Sequence, residues 1–553
     1  MLNRKIKKSH LSFLLGIIIV TVFWAFKDGD DFKIAKSLDI FYSLFRDVNT
    51  YYVDDIDPEK MVEDGISSML KKLDPYTVYI PERDMDDFTL MTTGKYGGIG
   101  ALIRNSGEYP IIAEPYKDFP AYKGGLKAGD KILEIDGKST KDFEISKVSE
   151  HLKGIPKTKL KLLIERPYTN QTFEKEIVRE EIKINSVPYY GLVSEGVGYI
   201  RVNKFTPNVA SQVKDALRSL KADYQITSLI LDLRGNLGGL LVEAPKMCNI
   251  FIEKGEEIVS TKGKLDKWNQ TLKTSASAYD TEIPIVVLVS RATASASEIV
   301  AGALQDLDRA VILGSRTFGK GLVQTTLPLN YNSQVKITTA KYYIPSGRCV
   351  QALDYTNRNE DGSVGHVPDS LISEFKTRNG RKVYDGGGIT PDVTMKNDKV
   401  SNIAISLITQ SVIFDYATKF AYENETIADI DKFDINDEIY DNFVEFALED
   451  TFKYESRSAH ELKEFEKVLK QEKYYDLAQE EFEKLKVKLK SNKKTDLHNF
   501  KSEIKQFLLD EIAGRYYYQT GKIKAQLKDD KQLFRAIEIL NNQDEYKSIL
   551  SAK

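Results

Sequence analysis

ATASASEIVAGALQDLDRAVILGSRTFGKGLVQTTLPL, from Ala292 to Leu329, is the stretch on which the fold turns. It follows IPIVVLVS, Ile283 to Ser290, an apolar run that reads as a buried strand. Inside the stretch, ASEIVAGALQDL reads as a helix and AVILG as a second short strand. Lys320 stands between Gly319 and Gly321. Upstream the alternation repeats: GVGYIRVNKF is strand-like, VASQVKDALRSLKA an amphipathic helix, TSLILDLRGN a buried strand and GGLLVEAPKMCNIFI a helix. Near-continuous apolar strands joined by helices predict an α/β core with a mostly parallel sheet covered on both faces, over 182–398. Such sheets place their sites in loops beyond the carboxyl ends of the strands. Two loops qualify: RGNLGG, Arg234 to Gly239, and RATASAS, Arg291 to Ser297.

Three chemistries compete for these residues. GSRTFGK, Gly314 to Lys320, matches a phosphate-binding loop, but Gly321 stands where Ser or Thr should hold magnesium. The following LVQTTLPL alternates like a strand, whereas a phosphate loop must open a helix. Ser295-Ala-Ser-Glu298 is also a plain helix cap, and a lysine between glycines is commonly a solvated turn residue. The third reading is catalytic. A serine at a helix start lies beside unbonded backbone N–H groups, which stabilise an oxyanion. A lysine serves as its base only if burial lowers a pKa of about 10.4. The NLGG loop, Asn236 to Gly239, would supply a second oxyanion N–H.

Working outward, the texture changes at Tyr96. YGGIGALIR is glycine-rich, and strands are expected at PIIAEP, KILEIDGKS, KLKLLIERP and TFEKEIVREEI, with a helix at FEISKVSEHLKG. GGIGALI, Gly97 to Ile103, together with FPAYKGGLKAGDKILEIDGKST, Phe119 to Thr140, resembles a PDZ domain, assigned to 96–181. In that reading the backbone N–H groups of Gly98, Ile99 and Gly100 hold a peptide carboxylate, and the adjoining strand edge pairs with the peptide. Residues 30–95 read as a small helical domain, with Asp57 as N-cap and Pro58 at the first helical position. Residues 399–553 form a charge-dense helical region whose role stays open between dimerisation and substrate caging.

At the N-terminus, Arg4, Lys5, Lys7 and Lys8 precede the apolar run Leu11 to Phe26. Sixteen helical residues span about 24 Å, against a hydrocarbon core of roughly 30 Å. With no small-x-small motif after it, 1–29 is expected to be an uncleaved membrane anchor rather than a cleaved signal, with the body outside the cytoplasm. The composition excludes other classes. A net charge of −3 offers no basic footprint for nucleic acid. Two cysteines, Cys248 and Cys349, cannot make a disulfide framework. The five histidines are scattered without HExxH or CxxC, so neither a metal site nor a Ser-His-Asp triad is expected, and no cofactor.

ASASEIVAGALQD followed by GSRTFGKGLVQ closely resembles the carboxy-terminal processing (tail-specific) serine peptidases. LDLRGNLGG, YYIPSGRCVQ and DGGGITPDV agree in order, and the likeness spans roughly Asp30 to Val393. The resemblance implies Ser295 as nucleophile, Lys320 as base and Gln324 as its assistant. It implies the backbone of Ala296 and Gly238 as oxyanion donors, and matches Asp306 to an aspartate in a supporting role. The chain departs from the family where NPGG reads NLGG, at Leu237, and where alanine replaces a glycine just before the nucleophile. The resemblance thus implies a peptidase of the bacterial envelope, inner-membrane anchored with a periplasmic body. Its partners would be proteins or peptides with free C-termini, with homo-oligomerisation left open. The non-enzyme alternative is a membrane-anchored PDZ adaptor on a silent peptidase fold.

Overall fold

The computed structural model describes residues 29–552, except 170, 360–362, 397–398, 450–451 and 490–491. The expected anchor, Leu11 to Phe26, lies outside the described residues. Among those described, no helix is long and apolar enough to cross a membrane. After Tyr79 the chain divides into two units. The first holds helix α1, Gly29–Tyr51, and helix α2, Pro58–Lys71. Asp57 caps α2 as expected: its carboxylate accepts the Glu59 and Lys60 N–H groups, and Pro58 opens the helix. Ile34, Leu38 and Phe41 on α1 lie more than half exposed.

The second unit contains the PDZ domain and the peptidase core. In the PDZ domain, strands Ala101–Ser106, Tyr109–Pro115, Lys131–Ile135, Lys159–Arg166 and Gln171–Val178 form one antiparallel sheet in that order. Its alternating apolar residues bury Ile112, Ile132, Leu160 and Ile164 against helix Ile145–Leu152. The chain enters and leaves this insertion through a two-stranded ribbon, Lys95–Gly98 against Glu180–Lys183.

The core sheet contains β1, Tyr189–Ser194; β2, Val197–Arg201; β3, Ser228–Asp232; β6, Ile285–Val289; β7, Val311–Gly314; and β10, Val393–Thr394. They lie side by side in that order, antiparallel between β1 and β2 and parallel thereafter. All five residues of β3 and of β6 are buried, as expected for strands covered on both sides. One face packs on helices α3, Val209–Tyr224; α4, Glu243–Cys248; and α5, Ala296–Asp306. A second, antiparallel sheet runs β8, Leu322–Pro328; β9, Gln334–Tyr343; β4, Glu257–Gly263; and β5, Gln270–Lys273. The expected helix after RGNLGG shrinks to the six residues of α4.

The other face of the core sheet is covered by the end of the chain. The helical stretch α6, Lys501–Leu527, is broken at Tyr518 (φ 55°, ψ −153°), and its second segment contributes Ile523 and Leu527. Helix α7, Lys531–Asn541, contributes Leu533, Ala536, Ile539 and Leu540, and helix α8, Gln543–Leu550, adds Tyr546. These meet Tyr199, Ile230, Val286, Leu288, Val311 and Leu313. The helical region therefore completes the hydrophobic core of the sheet.

Candidate active site

The strand β6 ends at Val289, and the chain turns once before α5 starts at Ala296. Two loops are stitched together there. Thr293 Oγ1 donates to the Leu233 carbonyl at 2.9 Å, and the Gly235 N–H donates to Ser290 Oγ at 3.1 Å. The Asn236 carbonyl accepts the Ala294 N–H at 3.0 Å and the Ser297 hydroxyl at 3.1 Å. RGNLGG and RATASAS, the two loops singled out beyond the carboxyl ends of their strands, thus form one structure.

Ser295 sits at this junction with φ 57° and ψ −119°, a region L-residues avoid. Such strain, of order 1–3 kcal/mol, persists only where neighbours hold it. The holder is Glu298, fully buried. Its Oε2 accepts the Ser295 N–H and the Lys320 N–H, each at 2.9 Å. Its Oε1 accepts the Gly319 N–H at 2.7 Å and the Thr317 hydroxyl at 2.5 Å. Burial pushes the Glu298 carboxyl above the usual range, while these four donors pull it down. One oxygen thus brings the backbones of Ser295 and Lys320 within two hydrogen bonds of each other. The cap reading of Glu298 is correct but incomplete. A charged residue opening the apolar run IVAGAL, Ile299 to Leu304, was the signal for more.

The glycines beside Lys320 do what close packing requires. A Cβ on Gly319, whose φ is 85°, would stand 2.4 Å from Ala352 Cβ, and one on Gly321 would stand 2.8 Å from the Gln351 N. Lys320 itself is half-buried. A bulge between Val323 and Gln324 re-aims the Gln324 side chain, which donates to Thr338 Oγ1 at 3.2 Å. Gly238, at φ 92°, lies against the Ser295 turn: a Cβ there would be 2.8 Å from Ser295 Cβ and 2.9 Å from the Ala296 N. Its own N–H donates to Asn236 Oδ1 at 2.9 Å. The Ala296 N–H, in the first turn of α5, has no acceptor among the described residues.

Asp306 is not brought to this site. It ends α5, about 16 Å along the helix from Ser295. There it forms a buried pair with Arg348 at 2.8 Å and accepts the Ser346 N–H at 3.0 Å. Gly98, Ile99 and Gly100 lie together, all buried, with Gly98 paired to Glu180 and the Phe119 side chain pressed on Gly100. Both cysteines are free, and burial raises both thiols out of the reactive range. Among the described residues no group of His, Cys, Asp or Glu is arranged to hold a metal ion.

A strained serine turn between a parallel strand and a helix, tied to a lysine loop and a glycine loop, fits a serine-type peptidase. The chain belongs to the carboxy-terminal-processing proteases, in peptidase family S41. The model of that family matches residues 196–357, a PDZ model matches 111–166, and the model described as a probable PDZ-protease C-terminal helical domain matches 403–540. A carboxy-terminal-processing protease of Bartonella bacilliformis is 38% identical over 326 residues, covering 58% of this chain and 74% of the relative. A probable CtpA-like serine protease of Staphylococcus haemolyticus is 33% identical over 392 residues, covering 68% and 77%. Among solved structures, a photosystem II D1 C-terminal processing protease is 26% identical, with a TM-score of 0.34 over 64% of this chain and 92% of that one.

Proposed function

We propose that this peptidase cuts with a serine–lysine pair and finds its substrates by their C-termini. The supporting observation is the shared Glu298 oxygen, which ties Ser295 to Lys320 through their backbones. Lys320 Nζ, in its neutral form, takes the Ser295 proton as Oγ attacks the carbonyl carbon. The oxyanion is met by the Ala296 N–H, and by that of Gly238 once it exchanges the Asn236 oxygen for the substrate's. Lys320 then passes the proton to the leaving amine nitrogen, and an acyl-Ser295 ester remains. Water hydrolyses this ester with Lys320 again as base. Gln324, on the bulged strand beside Lys320, orients the amine.

The substrate's terminal carboxylate is held by the N–H groups of Gly98, Ile99 and Gly100 in the PDZ domain. Residues 1–29 tether the enzyme to the inner membrane of a bacterial envelope, with the body in the periplasm. The exposed apolar face of α1 supports self-association. Membrane fractionation with and without residues 1–29, and sedimentation of the purified enzyme, test these two points. For the chemistry, Ser295→Ala and Lys320→Ala each abolish turnover of a C-terminally defined peptide. Wild-type activity rises with pH as Lys320 deprotonates and is unaffected by EDTA. Turnover near wild type in either variant would refute the assignment and return the silent-adaptor reading.

A further inference from the structure

The loop that carries Gly238 is anchored from an unexpected direction. Asp232, the last residue of β3, is wholly buried. It accepts the Tyr199 hydroxyl at 2.7 Å, Arg201 Nη1 at 3.2 Å and Arg234 Nη2 at 2.6 Å, and also the Arg234 N–H at 2.8 Å. Burial pushes its carboxyl up, but Arg234 and Arg201 outweigh it and hold the group at about 2. Two guanidinium groups against one carboxylate leave a largely buried positive charge unmatched. The missing carboxylate comes from the far end of the chain: Asp530 Oδ2 meets Arg234 Nη2 at 2.6 Å, and Gln532 Oε1 accepts from Nη1 at 3.2 Å. The cluster is then balanced, as buried charges must be.

Asp530 divides its two oxygens between two tasks. Oδ1 caps α7, accepting the Gln532 and Leu533 N–H groups at 2.9 and 3.0 Å. Oδ2 holds Arg234. Arg234 in turn lies between Leu233, whose carbonyl is bonded to Thr293, and Gly235, whose N–H is bonded to Ser290. The Arg234 side chain therefore hangs from backbone that is stitched to the Ser295 turn. Helix α7 is itself fixed by Leu533, Ala536, Ile539 and Leu540 packed on the sheet, so Asp530 is a rigid anchor.

We infer that Asp530 is a positioning residue for catalysis: acting through Arg234, it sets the Gly235–Gly239 loop against Ser295, which makes the C-terminal helical region a working part of the peptidase. The inference rests on the reading of Ser295 as nucleophile and Gly238 as oxyanion donor. It gives that region a task other than dimerisation or caging.

The helix cap allows a clean test. Serine and asparagine cap a helix about as well as aspartate, but neither supplies the carboxylate that Arg234 needs. Full-length Asp530→Ser and Asp530→Asn are compared with wild type, Asp530→Glu and Ser295→Ala for melting temperature, kcat and KM. Affinity for a peptide aldehyde, whose serine adduct loads the oxyanion site, is measured alongside. The expected result is a fold intact by melting temperature, kcat reduced at least 10-fold, KM within 2-fold, and aldehyde affinity falling in step with kcat/KM. Asp530→Glu recovers part of the loss. A folded Asp530→Ser enzyme with wild-type kcat, or a loss carried wholly by KM, overturns the inference while leaving the nucleophile in place. Residual turnover in Ser295→Ala instead removes the reading beneath it.

Discussion

Ser295 holds φ 57° and ψ −119°, and the carboxylate of Glu298 is what keeps it there. Removing the negative charge at that point has a definite consequence. Glu298→Gln keeps the shape but turns one acceptor oxygen into a donor, facing two of four donors. Losing charge-assisted bonds worth about 2–3 kcal/mol, if felt wholly in the transition state, lowers kcat by roughly 30- to 160-fold. The pH dependence follows from the direction of the shift. Burial raises the Glu298 carboxyl above its usual value, so the native state takes up a proton more readily than the unfolded chain. The stability linked to that proton is therefore present at low pH and lost as pH rises through the raised value. Activity runs the opposite way, because only the ionised group accepts all four donors. Its acid limb lies above the ordinary carboxylate range, and Glu298→Gln erases that limb. A pH–rate profile of the two proteins checks both points. The sequence showed Glu298 as a cap because its partner Ser295 is three residues away. Its bonds to Gly319 and Lys320 span 21 and 22 residues, and no local pattern reports them.

At the scale of elements, the apolar runs of β3 and β6 announced that both faces of the sheet are covered. They did not say by what. α7 carries its apolar residues on one face, as any amphipathic helix does, and only tertiary packing assigns that face to the peptidase sheet. The bulge at Gln324 was equally hidden, since LVQTTLPL reads as an unbroken strand. The longest helix of the region, α6, carries a testable strain. Asp510 is buried, and that burial, opposed by Gln526, Lys522 and Gln506, raises its carboxyl to about 7. Its folded value thus exceeds the ordinary value of about 3.9. The stability it contributes is full below that ordinary value and is lost as pH rises through 7. Asp510→Asn removes the loss. It raises stability at pH 8 by about 1–3 kcal/mol and adds nothing at pH 4, as thermal denaturation at the two pH values will show.

For the whole molecule, the PDZ domain is an insertion closed by the ribbon Lys95–Gly98 and Glu180–Lys183, so it can be removed at its neck. It also touches the helical region: Arg104 of the PDZ edge strand and Arg515 of α6 both lie over the Phe414 ring, at 3.6 and 4.2 Å. Deleting residues 96–181 abolishes the preference for substrates with a free C-terminus, while cleavage of an unstructured peptide persists. Equal preference before and after deletion would count against C-terminal recognition. The domain was legible from GGIG and AGDKILEIDG; its docking on Phe414 was not, nor was the place of Gly97 and Gly98 in the ribbon strand Lys95–Gly98. On the proposed mechanism, Ser295 is made reactive by Lys320. The most direct measurement is peptide mapping after treatment with a fluorophosphonate. One adduct is expected, on Ser295, strengthening with pH and absent in Lys320→Ala. An adduct elsewhere, or undiminished labelling of Ser295 without Lys320, would contradict it.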